Sequence, residues 1–255
     1  MCAPEDDELA DRKGALFAVA DGMGGASAGE HASKLALHTF AACYFADARE
    51  NIPESLAAAL SDANAKVYEE AQDNPMYHGM GTTFSSVVIH GNYGYVTQVG
   101  DSRVYLVRDG HALLQLTDDH SLVAEQVRGG YISEEDARNH ALKNLITRAV
   151  GIKETVKVDQ FVVRLKVGDT ILICSDGLSN MLRESEIAEA LALDLLQGAA
   201  HVLVGRALEQ GGPDNITVGL IRVVAAPPKV RAHEGASEIA LPGKGLWARI
   251  ARLFS

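Results

Sequence analysis

Apolar residues recur along this chain with two different periods, and the change from one to the other marks out its elements. A short apolar run at residues 16–20, ending at a glycine-rich turn, predicts a buried strand. Residues 30–45 then carry Leu35, Leu37, Phe40, Ala41 and Tyr44 near helical spacing, and Pro53 opens a second helix expected to reach about residue 72. From Thr82 the pattern becomes strand-like, at 85–89, 93–99, 104–107 and 112–116. Turns at His90-Gly91-Asn92 and Arg108-Asp109-Gly110 join these runs into an antiparallel meander. Short helices are predicted at 120–130 and 133–140 around the Gly129-Gly130 break, with a loop to Gly151. Strands follow at 158–164 and 170–174, helices at 185–195 and 199–210, and a last strand at 216–224. Strand runs interrupted by paired helices, without strict β-α alternation, predict an α+β fold rather than a doubly wound parallel sheet.

Four aspartates stand where an apolar run meets a turn: Ala20-Asp21-Gly22-Met23-Gly24-Gly25, Gly100-Asp101-Ser102-Arg103, Ser175-Asp176-Gly177 and Gly212-Pro213-Asp214-Asn215. A carboxylate at a strand end is held by the sheet while its oxygens face an opening, and glycine beside it lets the backbone carbonyl come close. If the strand ends converge, the crowded carboxylates need protons or cations. All-oxygen ligation suits Mg²⁺ or Mn²⁺ rather than zinc. Any one of these turns alone reads as ordinary turn chemistry, because Asp bonds nearby backbone and Gly supplies positive φ. The four together favour a metal site.

Five segments in order carry a family resemblance: 17–25, Gly79-Met80-Gly81-Thr82-Thr83, Val99-Gly100-Asp101-Ser102-Arg103, 172–178 and 211–217. Over residues 4–224 the chain resembles the bacterial branch of the type 2C (PPM-type) metal-dependent serine/threonine protein phosphatases. The resemblance implies two packed antiparallel β-sheets flanked by helices on both outer faces, a four-layer αββα sandwich. It implies hydrolysis of phosphoserine and phosphothreonine by a water shared between two Mn²⁺ or Mg²⁺ ions, with a weaker third ion and no Ser, Cys or His nucleophile. Asp21 matches the bridging ligand, Gly22 the carbonyl ligand, and Asp176 and Asp214 complete the first ion's shell; Asp101 and Asp176 match the third ion's ligands. Asn215 matches a position behind Asp214, where orienting a ligand or water and a plain turn role are equal readings. Glu5 and Asp6 are further ligand candidates, as the end of the family's N-terminal acidic motif.

The pattern departs from the family in places. Members open with a strand bearing a phosphate-binding arginine; here the match begins at Pro4, so that first strand is expected to be absent. Neither Arg12 nor Arg103 matches its arginine, and the substrate-binding residue is unassigned. A start site placed too far downstream and a genuine short form with lowered or no turnover both fit. On the second reading the chain is a phosphatase-like phosphoprotein-binding or scaffold module. Met23 stands where some relatives carry a histidine acid, and Asn180 where many carry Asp. Asp119 is expected to cap the helix that follows it.

The formal charge of -11 and the 47% hydrophobic content indicate one substantial core and argue against a nucleic-acid partner. An aromatic fraction of 5% leaves few platforms for a sugar substrate, which ranks a carboxylate-pair glycosidase last. Cys2, Cys43 and Cys174 are odd in number and widely spaced, implying neither disulfides nor a zinc knuckle; Cys43 and Cys174 read as buried small hydrophobes. None of the nine histidines shows ligand spacing. An acidic start and the lack of a long apolar run predict a cytoplasmic protein, expected to be a monomer. The family resemblance implies that its partners are phosphorylated targets of a bacterial Ser/Thr kinase. Composition divides the chain into a domain over 1–226, a Gly/Pro/Ser-containing flexible linker over 227–245 and a basic amphipathic tail helix over 246–255. The tail carries Leu246, Trp247, Ile250, Leu253 and Phe254 opposite Arg249 and Arg252. Peripheral contact with an anionic membrane, docking on a partner and folding back on the domain are its three readings.

Overall fold

A computed structural model describes residues 7–108, 112–193, 195–225 and 228–239. In chain order its elements are α1 (Asp7–Lys13), β1 (Ala15–Val19), β2 (Gly22–Met23), α2 (Ala26–Ala46), α3 (Ile52–Asp73), β3 (Gly81–Thr82), β4 (Phe84–His90) and β5 (Tyr93–Val99). There follow β6 (Arg103–Arg108), β7 (Ala112–Gln115), α4 (Leu122–Arg128), α5 (Glu134–Asn139), β8 (Asp159–Arg164) and β9 (Thr170–Cys174). The chain continues through α6 (Asp176–Ser179), α7 (Glu184–Leu191), α8 (Leu196–Glu209), β10 (Val218–Arg222) and β11 (Ser237–Glu238).

One sheet runs β1-β4-β5-β8-β11, the other β10-β9-β6-β7, and β2 pairs β3 in a small ribbon. Because side chains alternate across a strand, each sheet feeds two cores. Val96 of β5, Val104 and Leu106 of β6, and Ile171 and Ile173 of β9 meet between the sheets. Their neighbours Tyr95 and Val88 turn outward onto Phe40 and Tyr44 of α2 and Leu56 and Leu60 of α3. On the other side Tyr105, Leu172 and Cys174 pack against Ile187 of α7 and Leu203 of α8. Three cores between four layers give the αββα sandwich. Cys174 is buried as expected, whereas Cys43 is only half-buried.

The sheets are antiparallel except at one edge. There β11 lies parallel to β8, pairing Ser237 with Phe161. The segment leading to it, read from composition as a flexible linker, is tied down. Val230 N–H donates to Asn92 Oδ1 at 3.0 Å, His233 N–H to Tyr95 Oη at 3.0 Å, and Asn51 Nδ2 to the Glu234 carbonyl at 3.1 Å. Val230 sits where a Cβ on Gly91 would come within 2.6 Å of it, so the glycine turn makes room for this strap. The tail helix expected over 246–255 lies outside the described residues.

At the end of β6, Arg108 forms a two-pronged pair with Asp169, Nε–Oδ1 at 2.8 Å and Nη2–Oδ2 at 2.6 Å, with both side chains buried. Removing one partner strands the other charge. Asp169→Ala is therefore expected to destabilise the fold by about 3–5 kcal/mol in urea denaturation, and Arg108→Met with Asp169→Leu by much less. Equal losses from the single and double variants would contradict this.

Candidate active site

The turn after β1 is bound face to face with the residues before β4. Asp21 N–H donates to Thr83 Oγ1 at 3.0 Å, while its carbonyl accepts from Thr83 N–H at 2.8 Å and Thr82 Oγ1 at 2.9 Å. Glycine is obligatory behind it, since a Cβ on Gly22 would lie 1.9 Å from the Gly29 carbonyl oxygen. This contact also explains why α2 begins at Ala26, four residues before the predicted start, with small residues in its first turn.

The other acidic turns are built in the same way. Gly100 adopts φ 104°, a left-handed conformation suited to glycine, and places Asp101 at the mouth of β6. Gln98 Nε2 donates to both the Gly100 and Ser102 carbonyls at 2.8 Å, and Ser102 Oγ meets Thr83 Oγ1 at 2.7 Å. Asp176 begins α6 directly after β9. A Cβ on Gly177 would sit 2.2 Å from the Asn215 carbonyl oxygen, so glycine allows the Asp214-Asn215 turn to close on it. Ser175 Oγ donates to that same carbonyl at 3.2 Å and accepts from Thr217 N–H at 3.0 Å.

The structure thus gathers Asp21, Asp101, Asp176 and Asp214 at one end of the sandwich. Asp21 stands beside Asp176 and Asp214 and is raised to about 7, first by burial and then by the charges of those two carboxylates. Asp176 is raised by burial and then by Asp214. Asp101, 7% exposed, is pushed to about 7 by burial and then by Asp176 and Asp119. Asp214 is exposed and accepts from the Asn215 N–H at 2.8 Å, so the Asn215 backbone caps the turn. Glu5 and Asp6 lie outside the described residues.

Neighbouring side chains modify this cluster. Asn180 Nδ2 donates to Asp176 Oδ2 at 2.9 Å, a contact that an ionised Asp at that position would not make. Asp119 does not cap α4; Ser121 does. Asp119 instead receives Arg103 Nε and Nη2, the latter at 2.6 Å, which leaves Arg103 engaged rather than free for a phosphate. A cleft of about 400 Å³ opens beside Asp101 and Asp176, with Arg128, Arg138 and Lys143 on its walls. The Thr83–Ser102 bridge and the Gln98 clasp escaped the sequence reading. Their only signal was a run of hydroxyl and amide residues inside otherwise apolar strands.

The donor set is hard: carboxylates and nearby backbone carbonyls. Among the described residues no three His, Cys, Asp or Glu side chains close on one point. A cation held here would therefore keep much of its own water, as Mg²⁺ does. The buried carboxylates, whose charges raise one another's pKa, fit divalent cations, which would supply the positive charge that protons supply in their place.

The two-sheet sandwich agrees with the fold of solved serine/threonine phosphatases. The family model for protein phosphatase 2C matches residues 3–207, and the chain belongs to that family. It is 41% identical over 211 residues to "Serine/threonine phosphatase stp" of Listeria monocytogenes, covering 81% of this chain and 83% of that protein. It is 39% identical to "Protein phosphatase PhpP" of Streptococcus pneumoniae, covering 81% and 85%. Among solved structures, the catalytic domain of the serine threonine protein phosphatase PstP in complex with two manganese ions aligns with a TM-score of 0.75 at 38% identity, covering 82% of this chain and 88% of that one.

Proposed function

We propose that this protein is a metal-dependent serine/threonine protein phosphatase that releases phosphate from phosphoserine and phosphothreonine in proteins. The observation that carries the reading is that Asp21 and Asp176, from turns 155 residues apart in sequence, lie close enough to act on each other electrostatically, with Asp214 acting on Asp21 and Asp176 acting on Asp101. Family membership and the names of the relatives support it.

Asp21, the Gly22 carbonyl, Asp176 and Asp214 would hold two Mn²⁺ or Mg²⁺ ions, and Asp101 with Asp176 a third, weaker one. Such ions supply Lewis acidity toward the phosphoryl group and a water acidified enough to attack at neutral pH. The chain's own contribution is placement. Thr82 and Thr83 fix the Asp21 turn, Gly22 leaves its carbonyl open, and Asn180 orients the Asp176 carboxylate. Met23 occupies the place after Gly22 and has no proton to give, so no side chain there protonates the leaving alkoxide. Arg128, Arg138 and Lys143 bring positive charge to the cleft through which a phosphorylated protein, the target of a bacterial-type kinase, would approach.

The test is phosphate release from a phosphothreonine peptide by the full chain, with Mn²⁺ and after EDTA. Release is expected to need the cation and to survive alkylation of the cysteines. Turnover in EDTA would overturn the reading, and Mn²⁺ binding without turnover at high substrate would favour the binding-module alternative.

A further inference from the structure

The turn that carries Asp101 is clasped by a histidine from another part of the chain. Gly100 N–H donates to His120 Nδ1 at 3.0 Å, and His120 N–H returns a bond to the Gly100 carbonyl at 3.0 Å. The imidazole is 2% exposed, so no bulk water competes for these groups. Since Nδ1 accepts, the neutral ring carries its hydrogen on Nε2, and that hydrogen goes to Asp159 Oδ2 at 3.0 Å. Arg148 Nη1 lies 2.9 Å from Nε2 but cannot donate to a nitrogen that is itself a donor; it donates to Asp159 Oδ1 at 2.8 Å and to the Lys157 carbonyl at 3.2 Å. Burial holds the imidazole below its ordinary pKa, in keeping with the neutral form.

The same network reaches the Asp21 turn. Two residues beyond Arg148, Val150 exchanges both backbone hydrogen bonds with Thr82, at 3.0 and 2.9 Å. Thr82 Oγ1 in turn donates to the Asp21 carbonyl at 2.9 Å. A continuous path of contacts thus joins the two acidic turns.

We propose that His120 is a positioning residue for the metal centre: through Gly100 it sets the Asp101 carboxylate, and through Asp159 and Arg148 it locks that setting to the loop framing Asp21. The inference rests on the metal-site reading given above. Asp101 is the carboxylate most in need of such support. It is buried, and the nearest guanidinium, Arg103, is engaged by Asp119. Partners behind a ligand shift metal affinity about 10–100-fold when removed.

Stepwise Mn²⁺ binding to the full chain by calorimetry tests this, with thermal denaturation alongside. Asp101→Asn identifies the step that belongs to Asp101 and should abolish the weakest one. His120→Leu is expected to weaken that same step about 10–100-fold and to leave the tighter steps within about threefold. His120→Asn, whose amide oxygen can stand near Nδ1 and accept from Gly100, should recover most of the loss. A merely structural histidine predicts a lowered Tm with every Mn²⁺ step unchanged, or an Asn variant no better than Leu, and either result overturns the proposal. Should the Leu variant not fold, Asp159→Asn decides: weaker binding at the Asp101 step supports the proposal, and unchanged binding overturns it. If Asp101→Asn keeps every step, Asp101 holds no ion and this inference falls, whereas the metal-site reading itself fails only if the unaltered chain binds no Mn²⁺.

Discussion

Asp176→Asn is expected to lower Mn²⁺-dependent phosphate release by about a thousandfold or more while making the metal-free protein more stable. The first half follows from position. Asp176 acts electrostatically on both Asp21 and Asp101, and it is a proposed ligand of the first and the third ion. Weakening metal-assisted charge stabilisation by roughly 4 kcal/mol corresponds to about three powers of ten in rate. The second half follows from repulsion. In the absence of cations, the Asp176 charge disfavours ionisation of its neighbours, and a neutral amide of the same shape removes that penalty while still able to accept from Asn180. Loss of activity with a higher Tm in EDTA is the signature of a residue kept for function against stability. Steady-state kinetics across a Mn²⁺ series and melting curves in EDTA measure the two halves. Full activity in this variant would remove Asp176 from the centre, and a large drop in metal-free Tm would assign it a structural task instead.

Much of the fold was legible because its strands are long enough for alternation to show. β4, β5, β6 and β9 carry apolar residues on both faces, the mark of strands covered on both sides, and the structure places a core on each face. Elements of two to four residues, β7 apart, were not legible. The β2–β3 ribbon and α6 contain too few positions for a period, and they form because the Asp21 and Asp176 turns are closed by tertiary contacts. The start of α2 was hidden by Gly24, Gly25 and Gly29, which read as loop until the close approach of Gly22 gives Gly29 its reason. The strap at 228–239 failed differently. Its composition resembles a linker, and only the open edge of β8 and the notch at Gly91 turn it into structure.

The same division holds at the site. Each aspartate was visible because it follows an apolar run and adjoins a turn. Side chains that work by pairing over long separations were not. Asp119 looked like a cap because it precedes a helix, yet Arg103 outcompetes that role with two charge-assisted bonds. His120 carried no ligand spacing because its partners, Gly100 and Asp159, are 20 and 39 residues away. A reading confined to neighbours in sequence has no means of pairing them.

The metal-free protein is expected to lose stability as pH rises from 5 to 8, and Mn²⁺ to reverse that loss. Asp21 and Asp101 are held at about 7 in the folded state, against about 3.9 in an unfolded chain. Between those values the native state binds more protons than the unfolded one, so unfolding free energy falls with pH, and the fall is complete above pH 7. For Asp101, which is buried, the pH 5 to 8 interval corresponds to about 3 kcal/mol, and by the usual scaling for a chain of this size to a Tm lower by roughly 6–12 °C. Asp21 is more exposed than Asp101, so its contribution is smaller. His120 and His233, both lowered by burial, act in the opposite sense as they lose their unfolded-state charge near pH 6.5. Asp101→Asn separates the two effects, because it should flatten the fall without touching the histidines. Mn²⁺ competes with protons for the same oxygens, so its stabilisation, about 2.7 kcal/mol at a hundredfold excess over Kd, should be large at pH 8 and small at pH 5. Melting curves in EDTA and in Mn²⁺ at the two pH values decide the matter: a metal-free Tm that climbs toward pH 8, or a Mn²⁺ shift equal at both, would mean that these carboxylates neither share protons nor gather cations.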